Sequence, residues 1–319
     1  MELEDRARGS MLGLAVGDCL GAAVEFLAPG TFEPVTTIRS GGSHGLCAGQ
    51  WTDDTSLALC LGESLVACRG FDPADQLARY LRWLRHGHNS SIGKCFGIGR
   101  ATYLALERFE RERSLRCTDL HSAGNVSLMR LAPVPLYFHR EPELALERAG
   151  ESSLTTHGAP EAADACRYFS SLLVGALEGR TKPELLDSAR APAQLHPRVR
   201  AVAEGSFLRR EPPAIRAHGY CVATLEAALW AFARHDDFAA CALASVNLGE
   251  DSDTVGAVYG QLAGAHYGLD AIPSAWRALI HRRADIEDLA VALVQGPPAT
   301  AKSPSAGRPK GFKENSTAP

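Results

Sequence analysis

Glycines recur at intervals of four in two separate helical segments of this chain, residues 5–24 and 253–267. The first segment carries Gly9, Gly13, Gly17 and Gly21, and the second carries Gly256, Gly260 and Gly264. Glycine inside a helix costs about 1 kcal/mol per position relative to alanine, so such stripes need a structural reason. We predict that the two helices pack deep in one core with their backbones in close contact. The alternative is a pair of unrelated helices rich in alanine and glycine.

Helical patterns also dominate the rest of the chain, and alternating β-branched runs are nearly absent apart from a predicted short hairpin near 31–39. Further helices are predicted at 54–69, 73–86, 97–113, 142–150, 159–178, 182–190, 197–204, 221–234, 237–247 and 274–280. We therefore predict an all-α fold, with a single compact multi-helix domain over residues 1–295. From 296 to 319 the chain turns to proline, serine, lysine and glycine, which predicts a disordered C-terminal tail.

Composition argues against several classes of partner. The net charge of −4 provides no basic footprint for nucleic acid. No apolar run reaches the roughly 18 residues of a membrane-spanning helix, and the N-terminal residues are charged rather than typical of a targeting signal. The nine cysteines never stand at C-x-x-C spacing, a pattern typical of buried thiols in a reducing compartment. We predict a cytoplasmic protein that binds neither nucleic acid nor membrane.

Two acidic clusters each combine two carboxylates with a threonine hydroxyl, and each opens an apolar helical stretch. They are Thr52, Asp53 and Asp54, and Asp251, Asp253 and Thr254. Asp and Thr side chains offer only oxygen, which suits Mg²⁺ or Mn²⁺ better than Zn²⁺. If the fold brings the clusters together, they could hold two metal ions about 3.5–4 Å apart, as in two-metal hydrolases. The alternative for either cluster is helix capping, because Thr52 is a natural N-cap followed by acidic residues.

Single polar residues elsewhere give weaker signals. Glu25 is predicted to close the first helix, where a carboxylate is usually solvated; beside a two-metal site it would become a candidate general acid or base. Asn125 lies in a small-residue turn that either cradles a pyrophosphate or is ordinary loop punctuation. His157, taken alone, is typical of a cap or a surface histidine. Tyr220 is equally consistent with stacking on a base and with packing.

Six motifs occur in order along the chain. They are Gly17-Asp18-x-x-Gly21-Ala22, Trp51-Thr52-Asp53-Asp54-Thr55, Gly124-Asn125-x-x-x-Met129-Arg130, Thr156-His157, Gly219-Tyr220-Cys221-Val222-x-Thr224-Leu225 and Asp251-x-Asp253-Thr254-x-Gly256-Ala257. Together they resemble the ADP-ribosylglycohydrolase family, which includes the dinitrogenase-reductase-activating glycohydrolases. The resemblance covers roughly residues 6–280.

The resemblance implies an all-α domain with two Mg²⁺ or Mn²⁺ ions at the base of a cleft, beneath the distal ribose of ADP-ribose. The implied metal ligands are Thr52, Asp53, Asp54, Asp251, Asp253 and Thr254. The implied catalytic residues are Glu25 and Asp53. The implied substrate contacts are Ser91, Gly93, Gly97, Gly124, Asn125 and Ser127 in two loops under the pyrophosphate, His157 lining the cleft, and Tyr220 at the adenosine end.

The reaction that the resemblance implies is hydrolysis of the C1″ glycosidic bond joining ADP-ribose to a side chain. Glu25 matches the catalytic glutamate of relatives that cleave O-linked ADP-ribose. Relatives acting on ADP-ribosyl-arginine often read Asp-Ile-Gly where this chain reads Gly97-Ile98-Gly99. This departure favours an O-linked serine or threonine substrate over arginine. The expected partner is ADP-ribose or an ADP-ribosylated protein, and the expected state is a monomer.

Two other functions are consistent with the same residues. One is a catalytically silent family member that binds ADP-ribose or has a structural role. The other is a two-metal phosphoesterase that cleaves the pyrophosphate itself. All six candidate metal ligands and Glu25 are present, which favours the hydrolase.

Overall fold

A computed structural model describes residues 1–296. Its α-helices are α1 (Leu3–Gly21), α2 (Asp53–Cys68), α3 (Pro73–His86), α4 (Arg100–Glu112), α5 (Val126–Met129), α6 (Pro133–Tyr137), α7 (Pro142–Leu154), α8 (Pro160–Leu177), α9 (Lys182–Leu185), α10 (Pro197–Ala203), α11 (Cys221–Arg234), α12 (Phe238–Val246), α13 (Ser252–Tyr267), α14 (Ser274–Leu279) and α15 (Arg283–Gln295). Three short 3₁₀ turns complete the regular structure, and residues 1–296 contain no sheet. The predicted all-α class is confirmed.

Helices α1 and α13 pack antiparallel through their glycine stripes and form the centre of the fold. A Cβ atom at Gly13 would overlap the carbonyl oxygen of Gly260, and one at Gly17 would overlap that of Gly256. Backbone therefore contacts backbone, which only glycine allows at this distance. The predicted reason for the glycine stripes is confirmed.

The other helices surround this pair. Helices α11 and α12 pack on α13, α15 packs on α1, and α2 packs against α3, α6 and α15. Helix α8 contacts α7, α11 and α13. Most of both central helices is buried, from Gly9 to Gly21 in α1 and from Ser252 to Ala265 in α13. A polar side chain on either helix is therefore held rigidly and away from water.

Several predicted boundaries were wrong, each for a local reason. Helix α1 ends at Gly21, where the backbone meets Asp253, so residues 22–25 lie beyond the helix. Helix α4 begins at Arg100 because Gly97 adopts a left-handed φ of +74°. Of the predicted helix 182–190, only Lys182–Leu185 is α-helical. Helices α5, α6 and α15 were not predicted.

The predicted hairpin near 31–39 was also wrong. Val35 and Ile38 are buried individually against the core rather than paired across strands. The backbone of Val35 instead bonds the side chain of Asn247, which accepts from the Val35 N–H at 2.8 Å and donates to its carbonyl at 3.0 Å. An asparagine side chain thus replaces the partner strand.

Within residues 1–296, no helix has both the length and the apolar character needed to cross a membrane. The predicted tail falls outside the described residues from position 297 onward.

Candidate active site

The start of α2 is held by a carboxylate from α1. Asp18 accepts hydrogen bonds from the backbone N–H groups of Thr52 (2.9 Å) and Thr55 (3.1 Å) and from the Thr55 hydroxyl (2.7 Å). Thr52 occupies the N-cap position, yet its own side chain makes no capping bond. Asp18 therefore caps α2 from another helix. Capping, the alternative explanation of the first acidic cluster, does not account for Thr52, Asp53 or Asp54.

The two acidic clusters meet at the Thr52 hydroxyl. Thr52 Oγ1 lies 3.1 Å from Asp54 Oδ2 and 3.3 Å from Asp253 Oδ2. The glycine stripe explains the meeting, since Gly21 at the end of α1 packs directly on the backbone of Asp253 at the start of α13. The helix pair thus positions residues that are 201 apart in the sequence.

Asp251 is positioned from a third direction. Asn125 donates through Nδ2 to Asp251 Oδ2 at 2.7 Å and to Thr224 Oγ1 at 2.9 Å. Asn125 is itself fixed by its backbone N–H, which donates to the Gly219 carbonyl at 3.1 Å. The Gly124–Asn125 turn, weak as a sequence signal, therefore connects the second acidic cluster to α11.

The carboxylates of both clusters and Asn125 line a cavity of about 560 Å³, hereafter the acidic cavity. The predicted site residues in its wall are Glu25, Gly97, Asn125, Asp53, Asp54, Asp251, Asp253 and Thr254. The wall also includes residues that were not predicted to take part in the site, among them Phe26, Met129, His218 and Glu250. No lysine or arginine lines it within the described part of the chain. The cavity therefore concentrates negative charge without a protein cation.

Burial is the main reason why these carboxyl groups resist ionisation. It raises the pKa of Asp53, Asp54 and Asp253 well above the ordinary value, and the neighbouring carboxylates raise each further. Burial also raises the pKa of Asp18 to about 6, against the opposing effect of its hydrogen bonds from Thr55 and Thr52. Such a group of like charges is stable in ionised form only beside a cation.

The donor set fits a hard divalent cation in its chemistry. Asp54 Oδ1 and Asp253 Oδ1 are buried and have no hydrogen-bond partner. Oxygen ligands of this kind are those that Mg²⁺ and Mn²⁺ prefer. Across residues 1–296, however, no three His, Cys, Asp or Glu side chains converge closely enough to form a ready metal site. The hydroxyl of Thr52 lies between Asp54 and Asp253 instead. The ligand set stays a prediction.

Glu25 reaches the acidic cavity from the turn after α1, rather than from the helix end that was predicted. The turn is anchored to Glu250, whose carbonyl accepts from Phe26 N at 2.6 Å and whose N–H donates to the Leu27 carbonyl at 2.7 Å. Only 7% of Glu25 is exposed, and burial raises its pKa to about 7 despite a 3.1 Å hydrogen bond from Ser43.

The imidazole of His44 lies beside Glu25. Its Nε2 atom lies 3.2 Å from Glu25 Oε2 but lacks the alignment of a hydrogen bond. Burial lowers the pKa of His44, so we treat the contact as one to a neutral ring. Glu25 is therefore a carboxyl group able to exchange a proton near neutral pH.

Of the predicted loop 91–97, only Gly97 lines the acidic cavity. A Cβ atom at Gly97 would lie 2.5 Å from Asp53 Oδ1, and its φ is +74°. Ser91 does not line the cavity. Its hydroxyl donates to the carbonyl of Trp51, the residue before Thr52, at 2.6 Å. Gly93 has no neighbouring atom where a Cβ would be.

The remaining predicted substrate contacts lie outside the cavity wall; they are Gly124, Ser127, His157 and Tyr220. His157 is 1% exposed, with Nδ1 2.8 Å from the Thr156 hydroxyl and Nε2 unpartnered against Gly124. Burial lowers the pKa of His157 to about 3, so its ring is neutral. Ser127 accepts from Ser153 Oγ at 2.8 Å. Tyr220 is half-buried and its hydroxyl accepts from Arg198 at 3.1 Å. Of these residues, His157 lies directly against Gly124, the neighbour of the wall residue Asn125.

Asp18, which holds the start of α2, was not predicted to take part in the site, although its motif was recognised. The available signal was a carboxylate on the buried, glycine-striped helix, where an unpaired charge is costly. His218 and Phe26 carried no comparable signal, since each lies in an exposed loop.

Known proteins are similar to this chain over most of its length. A family model described as ADP-ribosylglycohydrolase matches residues 1–302. The chain is 40% identical over 296 residues to the ADP-ribosylarginine hydrolase Tri1 of Pseudomonas putida (strain GB-1), covering 92% of this chain and 79% of that one. It is 31% identical to the ADP-ribosyl-[dinitrogen reductase] glycohydrolase of Rhodospirillum rubrum, covering 89% and 93%. A solved structure, the "ADP-ribosylglycohydrolase-related protein complex", superposes with a TM-score of 0.83 at 49% identity, covering 92% and 98%.

Proposed function

This chain belongs to the ADP-ribosylglycohydrolase family, and from that premise we propose that it is a metal-dependent hydrolase that removes ADP-ribose from protein side chains. The observation that carries the proposal is the meeting of the two acidic clusters around one cavity, with Glu25 in its wall. Family relatives named as ADP-ribosyl hydrolases support it.

In the proposed reaction, water attacks C1″ of the ribose. The bond from C1″ to the side-chain nitrogen or oxygen breaks, and the leaving group takes a proton. Two divalent cations, when bound, would polarise the ribose hydroxyls and the attacking water. Asp53, Asp54, Asp251, Asp253, Thr52 and Thr254 would hold them. Asn125 would keep Asp251 in position through the hydrogen bond between them.

Glu25 has the properties required of the proton-transfer group. Its carboxyl is buried and its pKa is raised to about 7, so both protonation states are accessible near neutral pH. We propose that Glu25 accepts the proton of the attacking water or supplies the proton of the leaving group. Asp53 lies beside Gly97 in the cavity wall that also contains Glu25, and it would orient the reacting ribose as well as bind metal.

The linkage has two candidates, each favoured by a specific observation. The Pseudomonas relative is named an ADP-ribosylarginine hydrolase, which supports an arginine conjugate. Gly97 in place of the aspartate common in arginine-specific relatives supports an O-linked conjugate. Gly97 borders Asp53 at a φ of +74°, so this backbone disfavours any side chain there. Because the backbone itself accounts for a glycine at position 97, the name of the Pseudomonas relative is the stronger observation, and we propose the arginine conjugate as the first substrate and the serine or threonine conjugate as the second.

The deciding experiment is an activity panel of Arg-, Ser- and Thr-linked ADP-ribose peptides together with poly(ADP-ribose). Release of free ADP-ribose, lost on chelation and restored by Mg²⁺ or Mn²⁺, is the expected result. Cleavage of the arginine conjugate alone would exclude O-linked conjugates as substrates. Cleavage of serine or threonine conjugates alone would exclude the arginine conjugate.

The same panel separates the alternative functions. AMP among the products would indicate a phosphoesterase acting on the pyrophosphate. Tight binding of ADP-ribose without turnover of any conjugate would indicate a silent family member. Either result would overturn the proposed hydrolase.

A further inference from the structure

Two wall residues of the acidic cavity, Phe26 and Glu250, have a backbone conformation that side chains rarely adopt. Their φ angles are +66° and +52°. The two residues are bonded to each other, since Phe26 N–H donates to the Glu250 carbonyl at 2.6 Å and Glu250 N–H donates to the Leu27 carbonyl at 2.7 Å. A bulky residue in the left-handed region is strained. Tertiary hydrogen bonds therefore hold Phe26 where its own preference would not.

Local structure does not account for this strain. Among the other described non-glycine residues with a left-handed φ, three stand at helix caps and the fourth is an asparagine, a type that tolerates this conformation; they are Arg69, Arg113, Arg282 and Asn89. Phe26 and Glu250 occupy neither cap of α1 or α13, whose adjoining caps are Ala22 and Asp251. Backbone strain of this kind concentrates at functional sites.

The strained turn presents the ring of Phe26 to solvent. At 68% exposure, Phe26 is the most exposed large apolar side chain within residues 1–296. Its ring packs edge-on against His44, with centroids 6.4 Å apart, and His44 in turn lies beside Glu25. The ring is therefore on the side of the acidic cavity that contains Glu25. Covering an exposed aromatic ring is favourable, so a ligand group at this position would gain affinity from it.

The charge around the ring indicates which group would cover it. The cavity wall contains six carboxyl groups and, among the described residues, no lysine or arginine. The face of an aromatic ring attracts cations, and a planar guanidinium can also stack on it. An arginine conjugate has a guanidinium nitrogen bonded to C1″, whereas a serine or threonine conjugate has an uncharged oxygen there. The ring of Phe26 therefore suits the arginine leaving group.

We propose that Phe26 is a specificity-determining residue whose ring binds the guanidinium of the arginine conjugate on the leaving-group side of the acidic cavity. This inference rests on the proposed function, because Glu25 is the group assigned there to proton transfer at the bond that breaks. Phe26 contributes to recognition of the leaving group and takes no part in the proton transfer.

The test compares Phe26→Leu, which keeps an apolar side chain but removes the aromatic face, with Phe26→Tyr, which keeps the ring. Leu27→Ala is the matched control, because Leu27 is the next residue, is 42% exposed and does not line the cavity. KM and kcat are measured on Arg-linked and Ser-linked ADP-ribose peptides. Inhibition by free ADP-ribose, which has no leaving group, is measured for each variant.

We expect Phe26→Leu to raise KM for the arginine conjugate about fivefold, the scale of one cation–π contact at a partly exposed site, with kcat nearly unchanged. Phe26→Tyr and Leu27→Ala should match the wild type, and inhibition by ADP-ribose should not change. An equal rise in KM for the serine conjugate, a weaker inhibition by ADP-ribose, or a KM no different from that of Leu27→Ala would each overturn the assignment.

Failure of this inference is distinguishable from failure of the proposed function. A wild type that cleaves only serine or threonine conjugates would keep the hydrolase and overturn the role of Phe26. If the wild type cleaves no conjugate, the hydrolase is overturned, and calorimetry then compares binding of the arginine conjugate with that of ADP-ribose. Tighter binding of the conjugate that is lost in Phe26→Leu would support the contact, and any other binding result would overturn it.

Discussion

Asp18 and Thr52 are joined across 34 residues of sequence by a buried interaction in which one carboxylate serves a second helix as its cap. Asp18 accepts from both the backbone N–H and the hydroxyl of Thr52, at 2.9 and 3.0 Å. Because Asp18 satisfies the first N–H groups of α2, the side chains of Thr52, Asp53 and Asp54 need not do so. The candidate site depends on this arrangement, because capping by Asp18 leaves those three side chains available for other contacts.

Replacing Asp18 should therefore affect both stability and activity. Asp18→Ala leaves the N–H groups of Thr52 and Thr55 buried without acceptors, and each such group costs about 1–3 kcal/mol. We expect the free energy of unfolding, measured with urea, to fall by about 2–4 kcal/mol and ADP-ribose release to fall with it.

Asp72→Ala is the matched control. Asp72 caps α3 by accepting from Ala74 N at 2.8 Å, on the surface and outside the cavity wall. Its loss should cost about 1 kcal/mol and leave activity intact. Equal effects of the two variants on activity would show that Asp18 has no role specific to the site.

Removing a buried carboxylate from the acidic cavity should separate activity from stability. Asp253→Asn replaces a buried carboxyl whose Oδ1 has no partner and whose neighbours are also acidic. In a chelator, we expect the variant to melt at or above the wild-type temperature, because the amide stays neutral without a cation and without taking up a proton. Added Mg²⁺ or Mn²⁺ should raise the melting temperature of the wild type more than that of the variant, and the variant should be inactive.

Asp164→Asn provides the comparison for that experiment. Asp164 is also largely buried, with 9% exposed against 2% for Asp253, but it is paired with Arg167 at 2.7 Å and lies outside the cavity wall. It should lose some stability, keep its activity and respond to metal as the wild type does. A wild-type melting temperature that does not change when Mg²⁺ or Mn²⁺ is added would contradict the metal assignment.

The raised pKa of Glu25 predicts how the stability of the metal-free protein depends on pH. The folded protein keeps this proton up to about pH 7, whereas the ordinary value is 4.5. The folded state therefore binds more protons between these values, and its free energy of unfolding falls as pH rises through this window. The loss attributable to Glu25 should reach up to about 3 kcal/mol.

Glu25→Gln isolates this contribution. The glutamine is neutral at every pH, so the difference in unfolding free energy between variant and wild type should grow from pH 4.5 to pH 7. Urea unfolding in a chelator at several pH values measures it. Parallel pH profiles for the two proteins would mean that the Glu25 carboxyl is not perturbed. The same variant should lose hydrolase activity at all pH values.

Close packing of α1 on α13 predicts an unusually large cost for one methyl group. In Gly17→Ala the new Cβ would overlap the backbone of Gly256, which cannot move without separating the central helices. We expect destabilisation of more than about 3 kcal/mol, at the upper end of overpacking effects, measured by urea unfolding or by loss of soluble protein.

Gly62→Ala is the contrasting substitution in α2. Its Cβ would meet the Leu289 side chain at 2.9 Å, and a side chain can rotate away. The helix propensity gained from alanine, about 1 kcal/mol, should offset most of that adjustment. If both variants were equally stable, the glycine stripes would not be explained by backbone contact.

Much of this protein was determined by local sequence patterns. Glycines at intervals of four required another backbone beside them, whatever the rest of the fold, and clustered Asp and Thr residues defined an all-oxygen donor set. Helical periodicity likewise established the all-α class. All of these patterns depend on residues within a few turns of one another, so the sequence alone records them.

Only the tertiary structure decided the position of each side chain relative to the acidic cavity. Asp18 caps a helix that begins 34 residues later, Glu25 reaches the cavity because its turn is bonded to Glu250, and His157 is sealed behind the wall. Each outcome depends on contacts between distant segments, whose burial and hydrogen bonding no local pattern records. The pattern specified the chemistry of the side chains, and the packing of α1 on α13 determined where that chemistry is assembled.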